Sequence, residues 1–144
     1  MTELQPLLTE VTRRLRERGD RMTGPRRAVL TVLAQTAGHL SAEDIQTRAE
    51  SGRLPASTIY RVLETFGSLG VVQHIHLGHG ATAYHLAGPA EPHLHLECRH
   101  CGSLTDVPGS LLAPVVAAVE TDFGFRIDPT HTALSGRCQR CVQG

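Results

Sequence analysis

The sequence predicts an α+β protein made of two small domains. Three observations carry that prediction. Residues 1–87 contain four stretches of helical hydrophobic periodicity and then two alternating, strand-like runs. The segment Gly88-Pro-Ala-Glu-Pro92 then breaks every pattern. Residues 93–144 hold short strands, a single helix and two Cys-x-x-Cys pairs. The expected organisation is a first domain over 1–87, a hinge over 88–92 and a second domain over 93–144.

In the first domain, Leu4, Leu7, Leu8, Val11 and Leu15 recur at helical spacing, and Gly19 follows as a stop. The opposite face carries Arg13, Arg14 and Arg16, which reads as a solvated helix face. A second helix is expected from Pro25, whose fixed φ suits a first turn, through Val29, Leu30 and Leu33 to Gly38. Ser41-Ala-Glu-Asp44 has the form of an N-cap, with Ile45 and Ala49 facing inward after it. Ser51-Gly-Arg-Leu-Pro55 is turn chemistry. Ser57 is then expected to cap a fourth helix carrying Ile59, Val62, Leu63, Phe66 and Leu69, which Gly70 ends. Val71–Leu77 and Thr82–Ala87 flank Gly78-His-Gly80 as a hairpin. Short helices followed by a hairpin give the layout of a winged helix-turn-helix.

The second domain opens with His93–Glu97, where His and Leu alternate, so both histidines share one strand face. Ser103–Val107 reads as a second strand. A helix is expected over Leu111–Phe123, with Pro114 in its first turn, Leu112, Val115, Val116 and Val119 inward, and Gly124 closing it. Thr132–Arg137 supplies a last strand. This makes a small α/β domain with a thin core, so it is expected to need both a metal and a partner chain.

The chain has 144 residues, 40% hydrophobic and 19% charged, which excludes collagen-like and disordered classes. No apolar run approaches the roughly 18 residues a membrane span requires, and no apolar signal core opens the chain. No membrane contact and a cytoplasmic location are therefore expected. Aromatic residues make up 3%, with no Trp, which argues against base stacking on single-stranded nucleic acid. Formal charge is zero and every basic residue is Arg. Residues 1–87 hold ten Arg against eight Asp and Glu, while 88–144 hold four against six. Any polyanion contact thus belongs to the first domain.

Four Cys and nine His are the anomaly of the composition. Cys98-Arg-His-Cys101 and Cys138-Gln-Arg-Cys141 are two knuckles, and a reducing cytosol disfavours reading them as disulfides. Each Cys-x-x-Cys turn points two sulfurs at one centre, and two such turns complete the tetrahedron that zinc prefers. A closed site of this kind is structural. It would tie the tail of the second domain to its sheet. His93 and His95 share a face, and Asp106 lies on the next strand. Two imidazoles and a carboxylate suit nickel, iron, manganese or zinc. Taken alone, His-x-His on a strand is more often a surface or core pair than a ligand pair.

The surrounding motifs carry more. The order Arg21-Met-Thr-Gly-Pro-Arg26, His39-Leu-Ser-Ala-Glu-Asp44, Ser57-Thr-Ile-Tyr-Arg61, His93-x-His95-Leu-Glu-Cys98-x-x-Cys101 and Cys138-x-x-Cys141 resembles the ferric uptake regulator family across about residues 8–142. The resemblance implies a homodimeric, metal-dependent repressor with an N-terminal winged helix and a C-terminal dimerisation domain. Thr23-Gly-Pro-Arg26 departs from the family's usual Thr-Pro-Gln-Arg, though Arg26 is kept.

Within the family, Val72-Gln-His74-Ile-His76-Leu-Gly-His79-Gly80 looks most like the nickel uptake regulator branch. That likeness implies one metal site at His74, His76 and His131, and another joining His39 to His93 and His95. His85 stands where iron and peroxide sensors of the family carry a carboxylate, and Asp106 matches another such ligand. The branch has a further histidine two residues before the His-x-His pair, where this chain has Glu91. With all four thiols committed, the remaining donors are nitrogen and oxygen. Such donors fit nickel and also iron or manganese. It is the likeness to the nickel uptake regulator branch that implies nickel ahead of iron, zinc or manganese.

Three function classes compete. A metal-dependent repressor would use His39, His85, His93, His95 and Asp106 to couple metal to domain orientation. An enzyme with a hydrolytic metal centre would need a general base and cleft, and the sequence has no HExxH, GxSxG or P-loop motif. A constitutive DNA-binding scaffold would leave the histidines exposed. The first is the reading adopted, with no enzymatic activity. Its partner would be double-stranded promoter DNA with a pseudo-palindromic site. The helix opening at Ser57 would enter the major groove, with Thr58, Tyr60 and Arg61 near its N-terminal end, and Arg26 would hold phosphate.

Overall fold

Four helices and a hairpin fill the first part of the computed structural model, which describes residues 3–49, 54–77, 82–88, 93–129 and 132–143. They are α1 (Leu4–Glu17), α2 (Gly24–Gln35), α3 (Ala42–Arg48), α4 (Ala56–Ser68), β1 (Val72–His76) and β2 (Thr82–Leu86). The chain divides into two compact units, Met1–His74 with Thr82–Ala87, and Ile75–Ala81 with Gly88–Gly144.

The apolar stripes read from the sequence make the core of the first unit. Leu15, Val29, Leu30, Ile45 and Phe66 are fully buried, and Val11 and Ile59 nearly so. Burying each such side chain contributes roughly 1.5–3 kcal/mol, so these helices stabilise one another through a shared centre. Capping sets the helix starts. The Thr23 hydroxyl accepts from the Arg26 N–H at 3.4 Å, and Pro25 sits in the first turn of α2. Ser41 and Asp44 form a reciprocal box, each backbone N–H donating to the other's side chain at 3.0 Å.

Ser57 is not the cap of α4. Pro55 holds the cap position, its carbonyl accepts from the N–H groups of Thr58 and Ile59, and Ser57 lies in the first turn. The far end of α4 is closed from α1. Arg14 donates to the Leu69 carbonyl at 3.2 Å, and Arg18 to the Ser68 carbonyl at 2.6 Å and the Ser68 hydroxyl at 2.7 Å. Gly70, at φ 68°, then lets the Val71 N–H return to the Phe66 carbonyl. One pairing goes beyond the expected hairpin: Leu40 bridges Tyr84 antiparallel, with hydrogen bonds of 2.9 and 2.8 Å.

The second unit is a three-stranded sheet in the order β4-β3-β5, with β3 at His93–Cys98, β4 at Leu104–Pro108 and β5 at Ala133–Gly136. β4 runs antiparallel to β3, with His95 opposite Asp106. β5 runs parallel to it, with Glu97 opposite Ser135. A 3-10 turn at Gly109–Leu112 precedes α5 (Ala113–Phe123), and a short α6 covers Gln139–Val142. The expected inward face of the fifth helix is corrected here. Leu112 is buried, but no residue of α5 is, Val115 is 49% exposed, and Leu111, Phe123 and Phe125 lie in the open. The apolar pattern is real, yet among the described residues nothing in this unit covers it. Among the described residues, no helix is long and apolar enough to cross a membrane.

Candidate metal centres and nucleic-acid interface

The two knuckles meet. Cys98 ends β3, Cys101 closes the turn after it, and Cys138 and Cys141 bracket the start of α6. Their four sulfurs lie within 4.8 Å of one another, and Cys101 and Cys138 are 3.7 Å apart. A zinc tetrahedron with bonds of about 2.3 Å has edges of about 3.8 Å, so these thiols already stand at ligand spacing. The environment is uneven. Backbone N–H groups of Cys101, Cys138 and His100 draw the Cys98 thiol down to about 5. The hydrogen bond to Cys138, then burial, push the Cys141 thiol up to about 12. Four sulfurs in so small a volume cannot all be anionic without a cation between them, and a divalent ion with thiolate affinity fits that donor set. This is a four-cysteine structural zinc site, because four protein ligands leave no position open for water.

A second donor group lies on the sheet. Strand alternation puts His93 and His95 on one face of β3, their ring centroids 4.9 Å apart. His95 is 1% exposed, and its Nδ1 is 2.8 Å from the Asp106 carboxylate directly across the ladder. That hydrogen bond orients the ring and leaves Nε2 as the atom able to ligate. The same alternation brings Glu97 to this face, a residue the sequence reading did not mark. Glu97 is 6% exposed and accepts from the Ser135 hydroxyl at 3.1 Å. The signal was present in the sequence, since a carboxylate two residues after a ligand pair shares its side of a strand.

In the first unit, His39 and His85 adjoin, with ring centroids 4.5 Å apart. The cause is the Leu40–Tyr84 bridge: in an antiparallel pair the residue before one member faces the residue after the other. On β1, His74 and His76 are both exposed on either side of buried Ile75, so they share the outward face. The His74 ring is 6.2 Å from that of Tyr84. His79, Glu91 and His131 lie outside the described residues.

Helix α4 buries Ile59, Val62, Leu63 and Phe66 and turns Ser57, Tyr60 and Arg61 outward, with Thr58 half-buried. Tyr60 is 52% exposed, so it does not pack as a core aromatic. Arg61, Thr58 and Thr65 line a cleft with Arg21 and Arg26. Arg26 itself is engaged. Its guanidinium donates to both Asp20 carboxylate oxygens, at 2.9 and 3.2 Å, and to the Arg21 carbonyl at 2.5 Å. Arg26 in turn holds the Asp20 carboxyl below the usual carboxylate range.

Comparison with known proteins places these features. The ferric uptake regulator family model matches residues 17–134. The chain is 32% identical over 139 residues to the ferric uptake regulation protein of Bacillus subtilis, covering 93% of each chain. Its fold is similar to that of the Helicobacter pylori ferric uptake regulator, a protein with three functional metal-binding sites, at a TM-score of 0.81 and 20% identity, over 99% of this chain and 96% of that one. A zinc uptake regulator in complex with zinc and DNA is also similar, at a TM-score of 0.62 and 22% identity, over 99% and 97% of the two chains.

Proposed function

Because the chain belongs to the ferric uptake regulator family of metal-responsive transcription regulators, we propose that it is a cytoplasmic repressor that binds promoter DNA as a homodimer when loaded with a divalent metal, nickel ahead of iron, zinc or manganese. It is a transcription regulator, not an enzyme. The observation that carries the metal-dependent reading is the His93–His95–Asp106 group. A buried imidazole oriented by a carboxylate, with a second imidazole 4.9 Å away, is a prepared ligand set.

The regulatory site would comprise His39 and His85 from the first unit and His93, His95 and Asp106 from the second. Each unit brings its own donors close together, His39 to His85 and His93 to His95. A bound cation supplies coordinate bonds that one arrangement of the domains 1–87 and 93–144 satisfies better than another, and only such differential affinity shifts a two-state equilibrium. Nitrogen and oxygen donors suit nickel, iron and manganese alike. Nickel is put first on the likeness of the 72–80 segment to the nickel uptake regulator branch, and His85 in place of a carboxylate counts against iron-based peroxide sensing. The same likeness to the nickel uptake regulator branch assigns a second site to His74, His76 and His131. The exposed, one-sided placement of His74 and His76 supports it.

On DNA, Ser57, Thr58, Tyr60 and Arg61 would enter the major groove, where Arg suits guanine or phosphate and Tyr a base edge or thymine methyl. Dimer symmetry then calls for a pseudo-palindromic operator. The test is binding to the duplex that the chain selects from a random pool, with nickel, manganese, zinc and, anaerobically, ferrous iron supplied in turn. Nickel should give the largest gain in affinity, and His93→Ala should abolish the gain. Equal binding with and without added metal would leave a constitutive DNA-binding protein. For the second site, a His74→Ala/His76→Ala variant should carry less nickel per chain than wild type, and an unchanged count removes that site.

A further inference from the structure

Arg26 stands among the arginines of the α4 cleft, yet its charge is already spent. Nη1 donates to Asp20 Oδ1 and to the Arg21 carbonyl, and Nη2 donates to Asp20 Oδ2. Only 15% of the side chain is exposed, against 48% for Asp20. A phosphate reaching this guanidinium would have to displace a two-pronged carboxylate or settle beside its negative charge. Neither favours a backbone contact. Meanwhile the Arg26 backbone N–H donates to the Thr23 hydroxyl. One residue thus fastens Asp20, Arg21 and Thr23, the stretch that leads into α2 and forms the wall of the cleft facing Thr58, Arg61 and Thr65.

We infer that Arg26 is a positioning residue rather than a phosphate ligand, and that Asp20 is the other half of a brace that sets the 20–23 wall against the DNA-facing side of α4. The inference rests on the DNA-binding reading above. The brace leaves the exposed Arg21 and Arg61 as the cations of the cleft available to a polyanion. It also calls for arginine at this position. A lysine ammonium retains the charge but cannot grip both carboxylate oxygens and a carbonyl in one plane. Asp20 is the half-exposed end of the pair, so Asp20→Asn should cost little global stability and its effect should be read in DNA binding. The Arg26 variants, at a largely enclosed side chain, are read against their own melts.

The experiment measures affinity across a salt series for the duplex that the wild-type chain selects from a random pool. The variants are Asp20→Asn, Arg26→Lys, Arg26→Gln and the Asp20→Asn/Arg26→Gln double, each with its thermal melt. Under the brace, each single substitution weakens binding roughly fivefold, the double is no worse than the weaker single, and lysine does not rescue. Asp20→Asn and Arg26→Lys keep the test intact should Arg26→Gln fail to fold. Two results would overturn the brace. One is tighter binding by Asp20→Asn, which would mean Asp20 competes with DNA for Arg26. The other is near-wild-type affinity in Arg26→Lys while Arg26→Gln weakens and its salt slope falls by roughly 0.9, the mark of one lost phosphate contact. A wild-type chain that selects no duplex overturns the DNA-binding reading itself, and the inference with it.

Discussion

Phe66 is the largest fully buried side chain of the first unit, packed from α4 into the common centre of the helices. Phe66→Ala should therefore cost about 3–5 kcal/mol, seen as a lower urea midpoint, while Tyr60→Ala on the exposed side of the same helix should leave stability almost unchanged. Cys138→Ser removes one corner of the tetrad and leaves three sulfurs without a closed shell. That variant should purify without zinc and with an unfolded second unit, and a zinc-free protein with the wild-type melt would refute the structural role. At this scale the cysteines were legible because a Cys-x-x-Cys turn brings its own geometry. His93, His95 and Asp106 were legible because strand alternation and pairing are regular. The engagement of Arg26 was not. Its partner lies six positions back through an irregular segment, and no periodicity reports where such a segment folds.

Among the elements, α3 shows how little sequence a helix needs when its cap is complete. It has seven residues, and the box between Ser41 and Asp44 satisfies both a first-turn donor and the cap's own N–H. Ser41→Ala should cost about 1 kcal/mol. The hydroxyl and backbone N–H of Ser41 hold the Asp44 carboxyl below its usual range. A carboxyl depressed in the folded state stabilises above its unfolded titration range, and that contribution is lost as pH falls through the folded value. Wild type should accordingly lose stability on acidification more steeply than Asp44→Asn, as read from melts along a pH series. Helix interiors were legible from periodicity, which is why α1 and α2 fall where expected. The start of α4 was missed because Pro55 caps it by backbone geometry alone, and a search for side-chain caps favours Ser57. The inward face of α5 was misplaced for another reason. Periodicity locates an apolar face but does not say which surface covers it.

For the molecule as a whole, the two units differ in what holds them together. The first has a core of fully buried Leu, Ile, Val and Phe, while the second buries Leu94 and Leu112 and gathers four thiols. Chelation should therefore act on one and spare the other. A strong zinc chelator is expected to remove slow amide exchange from β3, β4 and β5 while α1, α2 and α4 stay protected. A single loss of protection across all of them would show that the units stand or fall as one. The fold class was legible at this scale because the His and Cys inventory and the motif order agree. The assignment of His74, His76 and His131 rests on likeness in the sequence, since His131 lies outside the described residues.

The parallel pairing of β3 with β5 also sets an order of events. α1 to α4 follow one another along the chain, so most of their contacts are local and form quickly. β5 must travel back to β3, and the Cys138 amide meets the Cys98 sulfur across a sequence separation of 40 residues. Closing a loop of that length carries an entropic cost that must be met before either strand or thiol gains anything, and pairings with high contact order are correspondingly slow. Diluted from denaturant, the chain should regain most of its helical signal first and acquire its tightly bound zinc in a later, slower phase. In the interval the β3 edge that receives β5 stays open to pairing with other chains, so scarce zinc during synthesis would appear first as aggregation and only then as lost regulation.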